Sequence, residues 1–201
     1  TSMFLVVYMT DIAGISAGAA GAIYGITKIW AGVSDLTAGQ TVDRFDTRWG
    51  RLRPWILFGS APLAIMFVVL FSVPAGFSAT AAIVWILLFD AAYQLLYSFV
   101  NIPYGSLSAA MTQDPVDRSR LSGARSIASS VSSVLLAFVV APQFQDTTSD
   151  NIRLQFTLIT LALAVLAVIL YLICFKNAKE VVERPQQKVT IKGTLSTVAQ
   201  N

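Results

Sequence analysis

Charge is what this sequence has least of. Only 12% of its 201 residues are charged, while 55% are hydrophobic; an ordinary soluble domain carries about 25% charged residues. With a mean hydropathy of +0.67, that balance excludes a water-soluble globular enzyme and indicates an integral membrane protein. Histidine is absent, so proton or cation chemistry has to rest on carboxylates. Cys174 is the single cysteine. That rules out an intrachain disulfide and makes it a lipid- or core-facing residue of a helix. The formal net charge is only +3, and the basic residues fall in separate loops, so there is no broad basic face for nucleic acid. No metalloenzyme ligand spacing, Walker loop or nucleophile elbow occurs, and no cofactor is implied. The opening stretch TSMFLVVYMT, without an initiator Met or a basic n-region, does not read as a signal peptide.

What the sequence does have is apolar runs. A helix needs about 20 residues to cross a bilayer. Spans are expected at about 1–10, 15–42, 54–73, 79–111, 121–141 and 153–175: five whole crossings and a first helix cut short. The fourth is long for one crossing, so tilt or a kink near Pro103 is expected. Residues 1–176 form one helix bundle. Residues 177–201 are polar and charged, and are expected to connect to further helices rather than to be a plain linker.

Loop charge sets orientation. Asp43–Arg53, Asp114–Arg125 and Lys176–Lys192 hold nearly all the arginines and lysines, whereas Asp11–Gly14, Pro74–Ser78 and Pro142–Asn151 hold none. By the positive-inside rule the first set and the tail are cytoplasmic.

Ionic and polar groups inside apolar spans mark candidate sites, because they are costly there and turn toward a bundle interior or a wet cavity. Lys28 and Asp35 lie on one helical face about 10 Å apart along the axis. Gly21, Gly25, Gly32 and Gly39 form a stripe that allows close helix approach. Lys28 reads as a snorkelling or pair-forming residue or as a functional one. Asp35 reads as a structural partner of a cation or, better, as a lone deep carboxylate that holds a proton or Na⁺. In the fourth span Asp90, Gln94, Tyr97, Ser98 and Asn101 recur at i, i+4, i+7, i+8 and i+11, and Tyr104 and Gly105 extend the stripe. Hydroxyls, amides and aromatics along one face suit a sugar, although interhelical hydrogen bonding fits as well. Arg125, in the first turns of the Ser-rich fifth span, can point into a cavity and hold a carboxylate in two hydrogen bonds, or sit at the membrane–water boundary. The hairpin Gly39–Arg53 reads as structural: Asp43 with Arg44, Arg48 and Arg51 can form a charge network that latches one conformation.

TDIAGIS (Thr10–Ser16), IWAGVSD (Ile29–Asp35), TRWGRLRPWILFG (Thr47–Gly59), YSFVNIPYGSL (Tyr97–Leu107), MTQDPVDRSRL (Met111–Leu121) and YLICFK (Tyr171–Lys176) resemble the glycoside–pentoside–hexuronide:cation symporters of the major facilitator superfamily. Within that family the chain is most similar to bacterial glucuronide carriers. The resemblance implies an all-α membrane protein of twelve helices in two six-helix halves. This chain would be the N-terminal half, its first helix truncated and its C-terminal half missing.

It also implies roles. Asp35 matches one of two cation-binding carboxylates of the family. The other falls on Ala31, which cannot ligate, so H⁺ becomes a better coupling ion than Na⁺. Ser34 and Ser98 match an asparagine and a threonine able to supply oxygen. Asn101 matches a sugar-binding aspartate and Arg125 a sugar-binding arginine, while Gly105 replaces an aromatic. Losing the carboxylate at Asn101 favours an anionic sugar. The expected activity is symport of a glucuronide or related glycoside with a cation across the bacterial inner membrane. Rivals are a pentoside or neutral-glycoside symporter and a non-transporting scaffold or sensor of the same fold; a membrane enzyme is the weakest reading.

Overall fold

Short polar side chains and prolines set where the helices begin. The computed structural model describes residues 2–45, 47–74, 76–140, 152–178 and 180–181. The loop Pro142–Asn151 and the tail beyond Val181, with its Arg184, Lys188 and Lys192, lie outside the described residues. Helix α1, Ser2–Val7, runs into a π-helical turn, Tyr8–Ile12. A break at Gly14 follows, whose φ of 71° suits a residue without Cβ. The Ser16 side chain then accepts from the Ala19 N–H at 3.4 Å and caps α2, Ala17–Arg44. Helix α3, Arg53–Leu70, carries Pro54 in its first turn, where the missing N–H is no loss. Ser78 caps α4, Ala79–Met111, by accepting from Ala81. Asp114 accepts from the Val116 N–H at 2.8 Å at the start of α5, Pro115–Val140. Helix α6 is Ile152–Asn177.

Helices α3, α4, α5 and α6 are each long and apolar enough to cross a membrane. Helix α2, at 28 residues, is about 42 Å long, but Lys28, Asp35 and its many small residues leave it less apolar. Helix α4 runs unbroken through Pro103. It starts well ahead of the polar stripe it carries, and α5 likewise starts ahead of Leu121.

Helix α4 is the central element, packed along both α2 and α3, and α3 packs in turn on α6. A Cβ on Gly59 of α3 would come within 2.5 Å of Val100 of α4, so glycine is needed for that close approach. Two apolar clusters close the two ends of the bundle. One joins Tyr8, Met9, Ile23, Leu70, Phe71, Ile86 and Phe156, and there the Tyr8 hydroxyl donates to the Phe71 carbonyl at 2.9 Å. The other joins Val42, Leu52, Ile56, Leu107 and Ala178, with the half-buried Cys174 packed against it. Between the clusters, α2 and α4 bury Thr27, Ser34, Asp90 and Ser98.

Two surfaces are left open. Helix α5 is exposed along almost its whole length. The glycine stripe of α2 meets no described neighbour within 4 Å at Gly21, Gly25, Gly32 or Gly39. Its close-approach role is therefore not used against the described helices; α2 packs instead through Ala20, Ile23, Thr27, Ser34, Ala38 and Val42.

Candidate functional site

The α2–α4 contact brings the polar residues of both helices together. Ser98, 1% exposed, donates its hydroxyl to Asp35 Oδ1 at 2.6 Å, and its Oγ lies 3.0 Å from the Gln94 carbonyl. Asp35 remains exposed. Beside it Ser34 is buried, and its Oγ has no hydrogen-bond partner among the described residues. A carboxylate and two hydroxyl oxygens are thus placed on adjoining positions of two packed helices, which is the donor chemistry a proton or a hard cation takes. Among the described residues no group of three or more His, Cys, Asp or Glu side chains converges on a metal site.

About two turns along α2, on the side of α1, the helices part around a cavity of about 210 Å³. Lys28 and Tyr24 line it from α2, and Tyr93, Gln94 and Tyr97 from α4. The Lys28 ammonium lies 5.1 Å from the centroid of the Tyr24 ring. Tyr93 and Tyr97 stack with centroids 6.0 Å apart. Asp90, only 2% exposed, forms the back wall; Thr27 hydrogen-bonds its carboxyl and Lys28 lies within electrostatic reach. Trp30 ties the two helices further, donating Nε1–H to the Ala91 carbonyl at 2.9 Å.

The stripe on α4 continues past Ser98. Asn101 is half-buried. One turn on, the Arg125 guanidinium reaches in from α5, its carbon 4.9 Å from the Tyr104 ring centroid. A Cβ at Gly105 would stand 3.3 Å from Arg125 Nη1. The small residue at 105 thus makes the space that the arginine occupies. Tyr171 of α6 meets Tyr104 in a T-shaped contact, with ring centroids 6.2 Å apart.

Among the described residues the hairpin between α2 and α3 is organised by fewer ions than its sequence offers. Asp43 pairs with Arg51, and Arg51 Nε also donates to the Val42 carbonyl. Arg44 and Arg48 make no ion pair with a described residue; Arg48 lies over the Trp49 ring at 4.2 Å. The dominant contact is one that reading the sequence missed. Glu180, just after α6, accepts from three backbone N–H groups at the start of α3: Arg51 at 3.0 Å, Leu52 at 2.8 Å and Arg53 at 3.0 Å. A carboxylate there satisfies orphan helix donors and meets the positive end of the helix dipole. Gly50, at φ 98°, has no side chain to block it, and a Cβ there would fall 2.5 Å from Glu180 Oε1. Val181 N–H donates to the Ala110 carbonyl, and Arg53 reaches the Phe175 carbonyl. The ends of α3, α4 and α6 are so clipped together.

A family profile described as MFS/sugar transport protein matches residues 1–200. The chain belongs to that family. Relatives match most or all of its length. A glucuronide carrier protein homolog of Escherichia coli K12 is 40% identical over 200 residues, covering 100% of this chain and 44% of the relative. An isoprimeverose transporter of Lactiplantibacillus pentosus is 30% identical over 205 residues, covering 100% of this chain and 42% of that protein. An E. coli protein provisionally named a glycoside/cation symporter is 31% identical over 180 residues, 89% of this chain and 39% of its own length. The chain therefore spans less than half the length of the curated relatives it matches. Family and helices together make it an integral, multi-pass membrane protein of a transporter family, not an enzyme.

Proposed function

We propose that the complete protein is a secondary active transporter carrying a sugar, a glucuronide or related glycoside, together with a cation across the bacterial cytoplasmic membrane by alternating access. The observation that carries this reading is the Ser98–Asp35 hydrogen bond, 2.6 Å long, beside the orphaned hydroxyl of Ser34. These three residues hold the coupling ion. With Ala31 in place of a second carboxylate, a proton meets the available charge better than Na⁺ does.

Asn101, Arg125, Tyr97 and Gln94 take the sugar. Amide and guanidinium donors pair with its hydroxyls and the tyrosine covers its apolar ring face. Asn101 carries no negative charge to repel an acidic sugar. Helix α5 and the glycine face of α2 await the six helices of a C-terminal half, joined through the tail after α6. The basic loops and that tail lie on the cytoplasmic side, where the Asp43–Arg51 pair and the Glu180 clip steady the gate, and Lys28 sits deeper in the bundle. The names of relatives, one for a glucuronide carrier homolog and one for an isoprimeverose transporter, support a glycoside as cargo.

The test is uptake of a labelled glucuronide by membrane vesicles holding the full-length protein. Accumulation driven by an imposed pH gradient, and not by a Na⁺ gradient, supports the reading. Accumulation with neither gradient imposed removes cation coupling. Stronger competition by pentosides or neutral glycosides than by uronides replaces the substrate class.

A further inference from the structure

We infer that Lys28 is the specificity residue for an acidic group on the substrate: its ammonium binds the carboxylate of a uronide in the cavity between α2 and α4. This deepens the symport reading and rests on it.

Three observations lead there. The cavity, about 210 Å³, is smaller than the roughly 300–1,000 Å³ of drug-sized pockets, so it takes one ring or the end of a ligand. Its walls combine one cation with aromatic faces and one amide, the chemistry that grips an anionic sugar ring. And the single acid lining it already has partners: Asp90 is 2% exposed and is engaged by Thr27 with Lys28 in electrostatic reach, whereas the Lys28 side chain is exposed.

Asp90 is then a positioning residue. A lone ammonium at this depth would be expensive, and a buried carboxylate behind it offsets that expense without occupying the cavity. An ammonium carries three N–H donors, so Lys28 can serve Asp90 and a ligand carboxylate together. The geometry also separates two cations along α4. From Gln94 to Gly105, where Arg125 rests, the helix advances about 16 Å. One end of a glycoside meets Lys28 and the other meets Arg125, so the two have different tasks.

The experiment uses the full-length protein in vesicles and a matched pair of probes: a β-D-glucuronide and the β-D-glucoside of the same aglycone, which differ only in carboxylate against hydroxymethyl. The readout is the ratio of their uptake within one preparation, so lower abundance of a variant does not imitate the effect. Lys28→Gln should lower the glucuronide:glucoside ratio roughly ten- to a hundred-fold, the worth of one charge-assisted hydrogen bond, with glucoside uptake kept. Lys28→Arg should hold the ratio within a few-fold. If Lys28→Gln fails to reach the membrane, Lys28→Met repeats the test with an uncharged side chain of similar length. An unchanged ratio in the uncharged variants, equal loss of both probes, or collapse of the ratio in Arg125→Gln alone overturns the inference. If the unsubstituted protein carries the glucoside and not the glucuronide, this inference fails and the symport reading stands; if it carries neither, both fall.

Discussion

Ser98 on α4 donates its hydroxyl to Asp35 on α2 across 2.6 Å, a direct side-chain hydrogen bond between the two polar stripes. A charge-assisted bond of this kind contributes on the order of 1.5–3 kcal/mol. Ser98→Ala is expected to weaken cation dependence by about ten-fold or more without abolishing sugar binding. The measurement is the proton concentration needed for half-maximal uptake in Ser98→Ala against the unsubstituted protein. An unchanged value would take Ser98 out of the ion site.

The glycine at 105 has a consequence for Arg125. With Nη1 only 3.3 Å from where a Cβ would stand, Gly105→Trp should push the guanidinium off Tyr104 and raise the half-saturation concentration for glucuronide at least ten-fold. Gly105→Ala, which asks the arginine to yield by a few tenths of an ångström, should raise it far less. Equal effects of the two substitutions would mean that the space at 105 does not position Arg125.

The Glu180 clip is a matter of stability. Removing a helix-capping group costs about 0.5–2 kcal/mol, and here one carboxylate serves three N–H groups at the start of α3. Glu180→Ala and Gly50→Ala should both lower the unfolding temperature of the purified full-length protein. Their effects should not add, because both break the same contact. Fully additive losses would show that Gly50 matters only for its own φ of 98°.

Gly59 faces Val100 where α3 and α4 come closest. A Cβ at 2.5 Å from Val100 cannot be accommodated without separating the helices, so Gly59→Leu should destabilise by about 1–3 kcal/mol, in the range of overpacked cores. Thermal unfolding of Gly59→Leu alone and combined with Val100→Ala checks this: the second change should return most of the loss.

The membrane class and the family were legible because they depend on composition and on contiguous motifs. Twelve per cent charge, apolar runs and stretches such as YSFVNIPYGSL carry that information locally. The polar stripe of α4 was legible for the same reason, since helical spacing puts Gln94, Tyr97, Ser98 and Asn101 on one face of any helix. Contacts between distant segments were not. Glu180 is 127 residues from Arg53, and nothing near it in sequence marks it as a cap; a partial signal is that Glu180 and Glu183 are the only glutamates in the chain. Asp90 stood in the stripe without a role, because its partners Thr27 and Lys28 belong to α2. Among the described residues the hairpin's charge network comprises Asp43–Arg51, while Arg48 lies over the Trp49 ring. The glycines of α2 mark a possible packing face, but small residues say only that a helix can approach closely, not which one does.

The central claim is that Asp35 carries the coupling ion, and it is tested most directly by proton movement in Asp35→Asn. In vesicles holding the full-length variant, glucuronide entry down its own gradient should persist, while alkalinisation of the outer medium on sugar addition and accumulation against a gradient should both disappear. Undiminished sugar-dependent proton uptake in Asp35→Asn would contradict the claim.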